Sequence, residues 1–363
     1  MSTPFKRLLL LLAVLFLLIG AAGWWLGRSG VNHAELPAER GPAKFPPETR
    51  VSRPQLPAPV IRQRPPRAPI ETVPPKMEGL LARLMKNPQA WLEPTAEQVS
   101  AYLAQNRRNA ESLLAAFRLT GDLAFLREAA QQFPDNAAVQ TELALRSTDE
   151  TERRQAIDSM RHADPANALG DYLSALDHLR HGRSEQAYDD LIAAAGKTQF
   201  GDYSVSAMQS AEEAYLAAGY SPVEAKAAAV MGHARSQLQP MRDLAQHLDD
   251  LRQGYLAAGD PTSAESIRQM GHSLGRQMQG MPVAIIDELS GLGIEQKFRD
   301  PAAPPEQQQE FTQRYDSIRR ESGENNRLML SMDDQEAIGY FDRMKFQGES
   351  AAYQWLRERR GIP

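Results

Sequence analysis

Twelve of the forty residues from Pro37 to Lys76 are proline, with doublets at Pro46-Pro47, Pro65-Pro66 and Pro74-Pro75. Proline fixes φ near −65° and carries no amide donor, so neither a helix nor an inner strand runs through this stretch. It divides the 363-residue chain into a short leader and a long body. Extended as polyproline, it spans ~120 Å at ~3.1 Å per residue.

The leader contains Leu8 to Leu26, a run without a charged residue. As a helix it measures about 28 Å, close to the ~30 Å hydrocarbon core. Lys6 and Arg7 precede it, while the nearest charges after it, Arg28, Glu35, Glu39 and Arg40, cancel, which predicts residues 1–7 in the cytoplasm and the remainder outside. Trp24 and Trp25 suit the far interface. The expected layout is therefore a cytoplasmic end at 1–7, a transmembrane signal anchor at 8–26 and a basic, disordered linker at 27–76. A helical repeat domain at 77–300 and an aromatic-rich helical cap at 301–363 would follow. The rival reading is a cleaved signal ending at the small residues Ala21, Ala22 and Gly23, with the body secreted. Either way the body is exported, in a bacterium to the periplasm. The chain has no cysteine, which excludes a lipoprotein anchor, disulfides and thiolate chemistry.

Charge is partitioned. The formal −5 resolves into +2 before the span, +5 between Arg28 and Lys76, and −12 from Met77 onward (30 basic, 42 acidic). Such a body is not a general nucleic-acid binder. The linker reads first as a solvated spacer; its arginines, Arg50, Arg53, Arg62, Arg64 and Arg67, could also touch lipid or cell wall.

Beyond Met77 no alternating β-branched run occurs, and Ala, Leu, Glu, Gln and Arg recur with helical spacing, which predicts an all-α body. Thr95 to Gln98 reads as a capping box. Breaks are expected at Gly121-Asp122 and at Phe133-Pro134-Asp135-Asn136. A helix pair then meets at Gly182, with Leu169, Tyr172, Leu173, Leu176 and Leu179 on one inner face and Ala187, Leu191 and Ala194 on the other. The stretch Asp164 to Ala195 resembles a tetratricopeptide repeat: Ala187, Leu191 and Ala194 stand five, nine and twelve residues after the turn glycine. Ser174, Ala175 and His178 depart from that pattern in the first helix. The resemblance implies an α-solenoid of stacked helix pairs that binds protein partners.

A duplication accompanies it. Tyr215-Leu-Ala-Ala-Gly219 recurs as Tyr255-Leu-Ala-Ala-Gly259, each followed by a proline (Pro222, Pro261) and a Met-Gly-His triplet (Met231, Met270). Gly219 and Gly259 are expected to end helices in the left-handed region. In the tail Tyr340, Phe341, Phe346, Tyr353 and Trp355 crowd together; they read as a capping hairpin or as an aromatic docking surface for a partner. Ser331 is the expected cap of a helix there, and Gly348 its break.

Three motifs invite chemistry. Gly271-His-Ser-Leu-Gly275 has the form of a hydrolase nucleophile elbow, yet Ser273 follows a helix-forming stretch and no histidine lies downstream of His272. Gly196-Lys197-Thr198 echoes a phosphate loop, but Leu191 stands where its first glycine belongs, so a helix end is the better reading. His178 and His181 share a helix face near Asp177 and Glu185 without a third ligand of recognised spacing. Asp189-Asp190, Asp249-Asp250 and Asp333-Asp334 read as solvated faces. We therefore expect no catalytic residue, no metal and no cofactor. The expected function is a membrane-tethered, exported helical-repeat scaffold or adaptor for protein partners in the cell envelope, recognising peptides along its groove. Two alternatives stand beside it. One is a membrane-anchored periplasmic foldase for a secreted client: the layout and the segment Asp171 to Leu176 are similar to lipase-specific foldases, although Leu169 and Gly170 stand where their upstream Arg and Phe belong. The other is an enzyme acting on envelope polymers, supported by location alone.

Overall fold

The computed structural model describes residues 79–86, 93–280, 283–300 and 302–362; the expected membrane span and linker lie outside them. Among the described residues every regular element is an α-helix, and no helix is long and apolar enough to cross a membrane. A short helix, α1 (Leu80–Lys86), precedes an uninterrupted series: α2 (Ala96–Gln105), α3 (Ala110–Thr120), α4 (Leu123–Gln132), α5 (Ala137–Arg146), α6 (Glu150–Ala163), α7 (Ala168–Arg180) and α8 (Ser184–Ala195). From α2 to α8 each helix packs on the next.

Local chemistry sets the starts. Thr95, Asn109, Asp122, Asn136, Asp149 and Asn167 each accept a hydrogen bond from a first-turn amide of the following helix, satisfying an otherwise orphaned donor. Gly121 and Gly182 end or join helices at φ 72° and 70°, where a β-carbon is costly. The apolar faces expected in the α7–α8 pair are buried together: Leu169, Tyr172, Leu173 and Leu176 against Ala187, Leu191 and Ala194, with Leu179 at the margin.

The duplicated segments form two further hairpins, α9 (Ser204–Ala217) with α10 (Pro222–Met231), and α11 (Leu238–Ala257) with α12 (Pro261–Gln279). Both turn on a left-handed glycine, Gly219 at φ 88° and Gly259 at φ 77°, and both restart on proline at the first helical position. They do not prolong the series. Instead α9 packs back on α3 and α2, α11 lies on α7, and α12 on α8. Hydrogen bonds from Tyr102 Oη to the Ser210 carbonyl (3.3 Å) and from Gln98 Nε2 to the Ala218 carbonyl (2.7 Å) seal the first of these contacts. Next, α13 (Ile285–Lys297) packs on α12 and α11, α14 (Pro305–Leu330) on α13, and the hairpin α15 (Asp334–Gln347) with α16 (Glu349–Arg359) on α10. The sequence of packed helices thus closes on itself, from α3 through α7, α11, α13, α14 and α16 to α15, α10 and α9, and back to α3.

Two apolar cores result. One joins α2–α8 to α11–α13; the other gathers Leu80, Leu81, Met208, Val223, Tyr340, Phe341 and Leu356. The duplication breaks down at its triplets: α10 stops at Met231, whereas α12 continues through Gly271 and His272. Along α12 the glycines meet a close crossing with α13. A β-carbon at Gly271 would stand 2.4 Å from the Phe298 ring, one at Gly275 2.5 Å from the Glu295 amide nitrogen, and one at Gly291 2.6 Å from the Gly275 carbonyl. The glycines of the elbow-like motif are therefore packing residues, and Ser273 lies within helix α12. Ser331 ends α14 rather than opening α15: its hydroxyl donates to the Leu328 carbonyl, and Asp333 is the cap of α15. Gly348 separates α15 from α16 at φ 92°.

Candidate functional site

Of the five tail aromatics, three are interior. Tyr340, Phe341 and Tyr353 are buried; Tyr340 donates to Asn325 Oδ1 (2.9 Å) and Tyr353 to Glu324 Oε2 (2.7 Å), and Phe341 meets Tyr340 edge-on at 5.6 Å. A buried ring offers no docking surface, so these three belong to the core. Phe346, at 60% exposure, projects into solvent. Trp355 is partly exposed, its edge seated where Gly339 leaves no side chain, with the Arg343 guanidinium 4.2 Å and that of Arg359 5.6 Å from the ring centroid. Gly339, Arg343 and Phe346 follow one another at i, i+4 and i+7 and so share one side of α15.

The histidine pair on α7 is engaged by neighbours. His178 Nδ1 accepts from Arg183 Nε at 2.9 Å, and burial, followed by the nearby Arg154, pushes its pKa down. Around it lies a dense ionic layer. Arg161 reaches both Asp171 (2.8 Å) and Asp190 (2.7 Å), while Asp177 is met by Arg183 at 3.0 Å and Arg154 at 3.5 Å. Asp190 is thus a buried ion-pair partner and not part of a solvated face; only its neighbour Asp189 is exposed. Lys197 of the phosphate-loop-like tripeptide pairs with Asp171. No group of three or more His, Asp or Glu residues suited to a metal is present among the described residues.

A second polar region lies where α9, the α10–α11 connection and the starts of α13 and α16 converge. The segment leading into α9 is pinned to the start of α7: Asn167 Nδ2 donates to the Gly201 carbonyl (2.8 Å) and Tyr203 Oη to Asp164 (2.5 Å). Tyr203 adopts φ 59°, a left-handed conformation that strains a non-glycine residue. Directly after it, Ser204 Oγ donates to the Asp202 carboxylate, since an ionised carboxylate only accepts. The same oxygen therefore accepts from His233 Nε2 (3.0 Å) and from Arg235 Nη1 (3.2 Å). With its proton committed to Asp202, Ser204 is no nucleophile for His233 to activate.

Arg118 of α3 and Arg146 of α5 share one carboxylate, Glu142, at 3.3 and 3.0 Å. They complete a cationic wall: burial first, then Arg235, Arg118 and Arg146, push the His233 pKa well down. The opposite wall is acidic. Asp287, fully buried, is 3.6 Å from Arg235, and its carboxyl is raised to about 6, chiefly by burial. Glu349 accepts from the Ile285 amide (2.9 Å) and from Asn325 (2.7 Å) and is likewise raised by burial. Although surrounded by packed helices, Arg118, Arg146, Asp202, His233, Arg235 and Glu349 all retain partial exposure. Beside Arg235, Ser236 Oγ and Gln237 Nε2 are buried with no hydrogen-bond partner.

Of this region the sequence reading reached only His233, as part of a repeat. Its members come from α3, α5, α9, α13, α16 and the connections that lead into α9 and α11, and no local spacing links them. No known protein family, curated protein or solved structure matches the chain.

Proposed function

We propose that the chain is a membrane-tethered, exported scaffold whose tetratricopeptide-like α-solenoid body holds protein partners of the cell envelope. The observation that carries the reading is the outer flank of α15 and α16, where exposed Phe346 and partly exposed Trp355 lie with Arg343 and Arg359. Aromatic and arginine side chains dominate binding energy at protein interfaces. In this proposal the partner does not lie along a groove. Packing of α9 on α3 and of α11 on α7 occupies part of the helical stack and favours recognition on the outside. The anchor and proline-rich linker would raise the local concentration of this surface at the membrane.

The test is site-specific photo-crosslinking of the full chain in native membranes, with the photoreactive residue at position 346 or, as control, at exposed Gln308 on α14. Discrete adducts at 346 that disappear on Trp355→Ala or Arg343→Glu support the reading. Equal and diffuse labelling from both positions would refute it.

A further inference from the structure

We propose that the cavity between α5, α6, α7 and the start of α11 binds a small neutral molecule with a carboxamide head on a short apolar body. The cavity measures about 120 Å³ and shares no residue with the outer flank of α15 and α16. Leu145, Ile157, Leu173 and Leu176 form its apolar wall, and Arg153 and Asp177 stand on its polar side. Both of these polar residues carry an unmet atom. Arg153 Nε is buried without an acceptor, and Asp177 Oδ1 is buried without a donor; Asp177 as a whole is 3% exposed. The cations nearest to Oδ1, Arg153 Nη2 and His181 Nδ1, are each 3.7 Å away, beyond hydrogen-bond reach. The other carboxylate oxygen is engaged, since Oδ2 accepts from Arg183 Nη2 at 3.0 Å. Buried hydrogen bonds are costly to leave unmade. An unmet donor and an unmet acceptor beside one cavity therefore mark the place of a group that supplies both partners. Arg180, with 40% of its side chain exposed, also lines the cavity, so a small solute can reach it from outside.

The head is neutral because the polar side already carries both signs. A cationic group would meet the arginines gathered on Asp177, Arg153 at 3.7 Å, Arg154 at 3.5 Å and Arg183 at 3.0 Å. A carboxylate would meet Asp177 itself and bring no hydrogen for Oδ1. A primary carboxamide meets both needs, its carbonyl oxygen accepting from Arg153 Nε and its amide nitrogen donating to Asp177 Oδ1. Volume limits the body. A cavity of about 150 Å³ lined by apolar side chains admits benzene, and by that scale this one takes about six non-hydrogen atoms. Isobutyramide has that size, with a branched apolar end for the leucine and isoleucine wall.

The full chain in detergent micelles, labelled at the isoleucine δ-methyl carbons, is titrated with isobutyramide. Ile157 is assigned by loss of its signal in Ile157→Val, and the exposed Ile192 serves as the control. A saturable shift at Ile157 without one at Ile192 is expected. Isobutyrate and methyl isopropyl ketone have the same shape but no hydrogen for Asp177 Oδ1, and should bind about tenfold or more weakly. Arg153→Met should weaken isobutyramide by a similar factor. Ala144→Met adds volume at the cavity wall without removing an ion pair, and should abolish the saturable shift. This second variant keeps the test decisive where loss of Arg153 unfolds the body. Absence of a saturable Ile157 shift in folded protein would show that the cavity holds water only, and would overturn the proposal. Equal affinity for the three probes, or wild-type affinity in Ala144→Met, would overturn it as well.

Discussion

Glu212 clasps the α9–α10 hairpin to α15, and its removal can be worked through. Lying on α9, it receives Lys226 of α10 at 2.8 Å on one oxygen and Lys345 of α15 at 2.6 Å on the other. Lys226 is also paired with Asp342. Lys345, with a side chain only 3% exposed, has Gln209 Oε1 (2.6 Å) as its second acceptor. Breaking a buried pair by removing one partner costs about 3–5 kcal/mol, because the remaining charge stays desolvated. Glu212→Gln keeps the volume and leaves Lys345 with amide oxygens alone; Lys226 keeps Asp342, so the loss falls at the lower end, about 3 kcal/mol. Lys345→Met costs less, about 1–2 kcal/mol, since Glu212 retains Lys226. With both changes no lysine is stranded at position 345, and the double variant should be more stable than additivity predicts, by about 2 kcal/mol. Urea unfolding of the full chain followed by far-ultraviolet circular dichroism measures all three. Losses additive to within about 0.5 kcal/mol would show that the lysine and glutamate do not depend on each other, and the clasp would be discarded.

Gly275→Ala should destabilise by about 2–3 kcal/mol through overpacking, because the new carbon would meet backbone atoms of α13 at 2.5 and 2.8 Å. Ser273→Ala should change stability by less than about 0.5 kcal/mol, and a larger loss there would reopen a role for the serine. At Gly219 nothing lies within 4 Å of a β-carbon, so Gly219→Val should cost about 1 kcal/mol or more from the left-handed backbone alone; Gly219→Asn should recover part of it, and equal melts for the two variants would contradict this cause. Asp287, raised to about 6 by burial, binds its proton more tightly folded than unfolded. Its contribution is therefore complete below about pH 4 and lost as pH rises to about 6, on the order of 3 kcal/mol. Asp287→Asn should flatten stability across that window, and an unchanged slope in chemical unfolding would refute the assignment.

Local signals in the chain were legible because their causes are local. The capping box at Thr95, the left-handed turns at Gly219 and Gly259, and the buried faces of α7 and α8 each depend on residues a few positions apart, whereas Asp333 and not the expected Ser331 caps α15. The destination of α9 and α11 does not. Their sequences specify amphipathic hairpins, and whether a hairpin extends a stack or folds back is decided by surfaces such as Tyr102 and Gln98, over a hundred positions earlier. The same limit explains the aromatic tail. Clustered Tyr, Phe and Trp signal a core and a docking patch alike, and only tertiary packing separates Tyr340, Phe341 and Tyr353 from Phe346. Asp190 shows the converse: an acidic doublet reads as solvated until Arg161 is placed against it.

Closure changes what kind of body this is. An open stack of helix pairs has nearest-neighbour contacts only, so its ends fray and its surface curves with the repeats. Here the Leu80 amide donates to Asp334 across 254 residues (2.8 Å), and α2 and α3 are held by α9. The terminal helices are therefore interior members of a closed set. Between the two apolar cores that closure creates, polar side chains must meet, and they can remain there only if hydrogen-bonded or paired. In one region the fold leaves Ser236 Oγ, Gln237 Nε2 and Asp287 Oδ1 without a partner while Ser204, Glu349 and Asn325 are hydrogen-bonded; polar atoms packed between two apolar cores are met only where the tertiary arrangement brings a complementary group within reach.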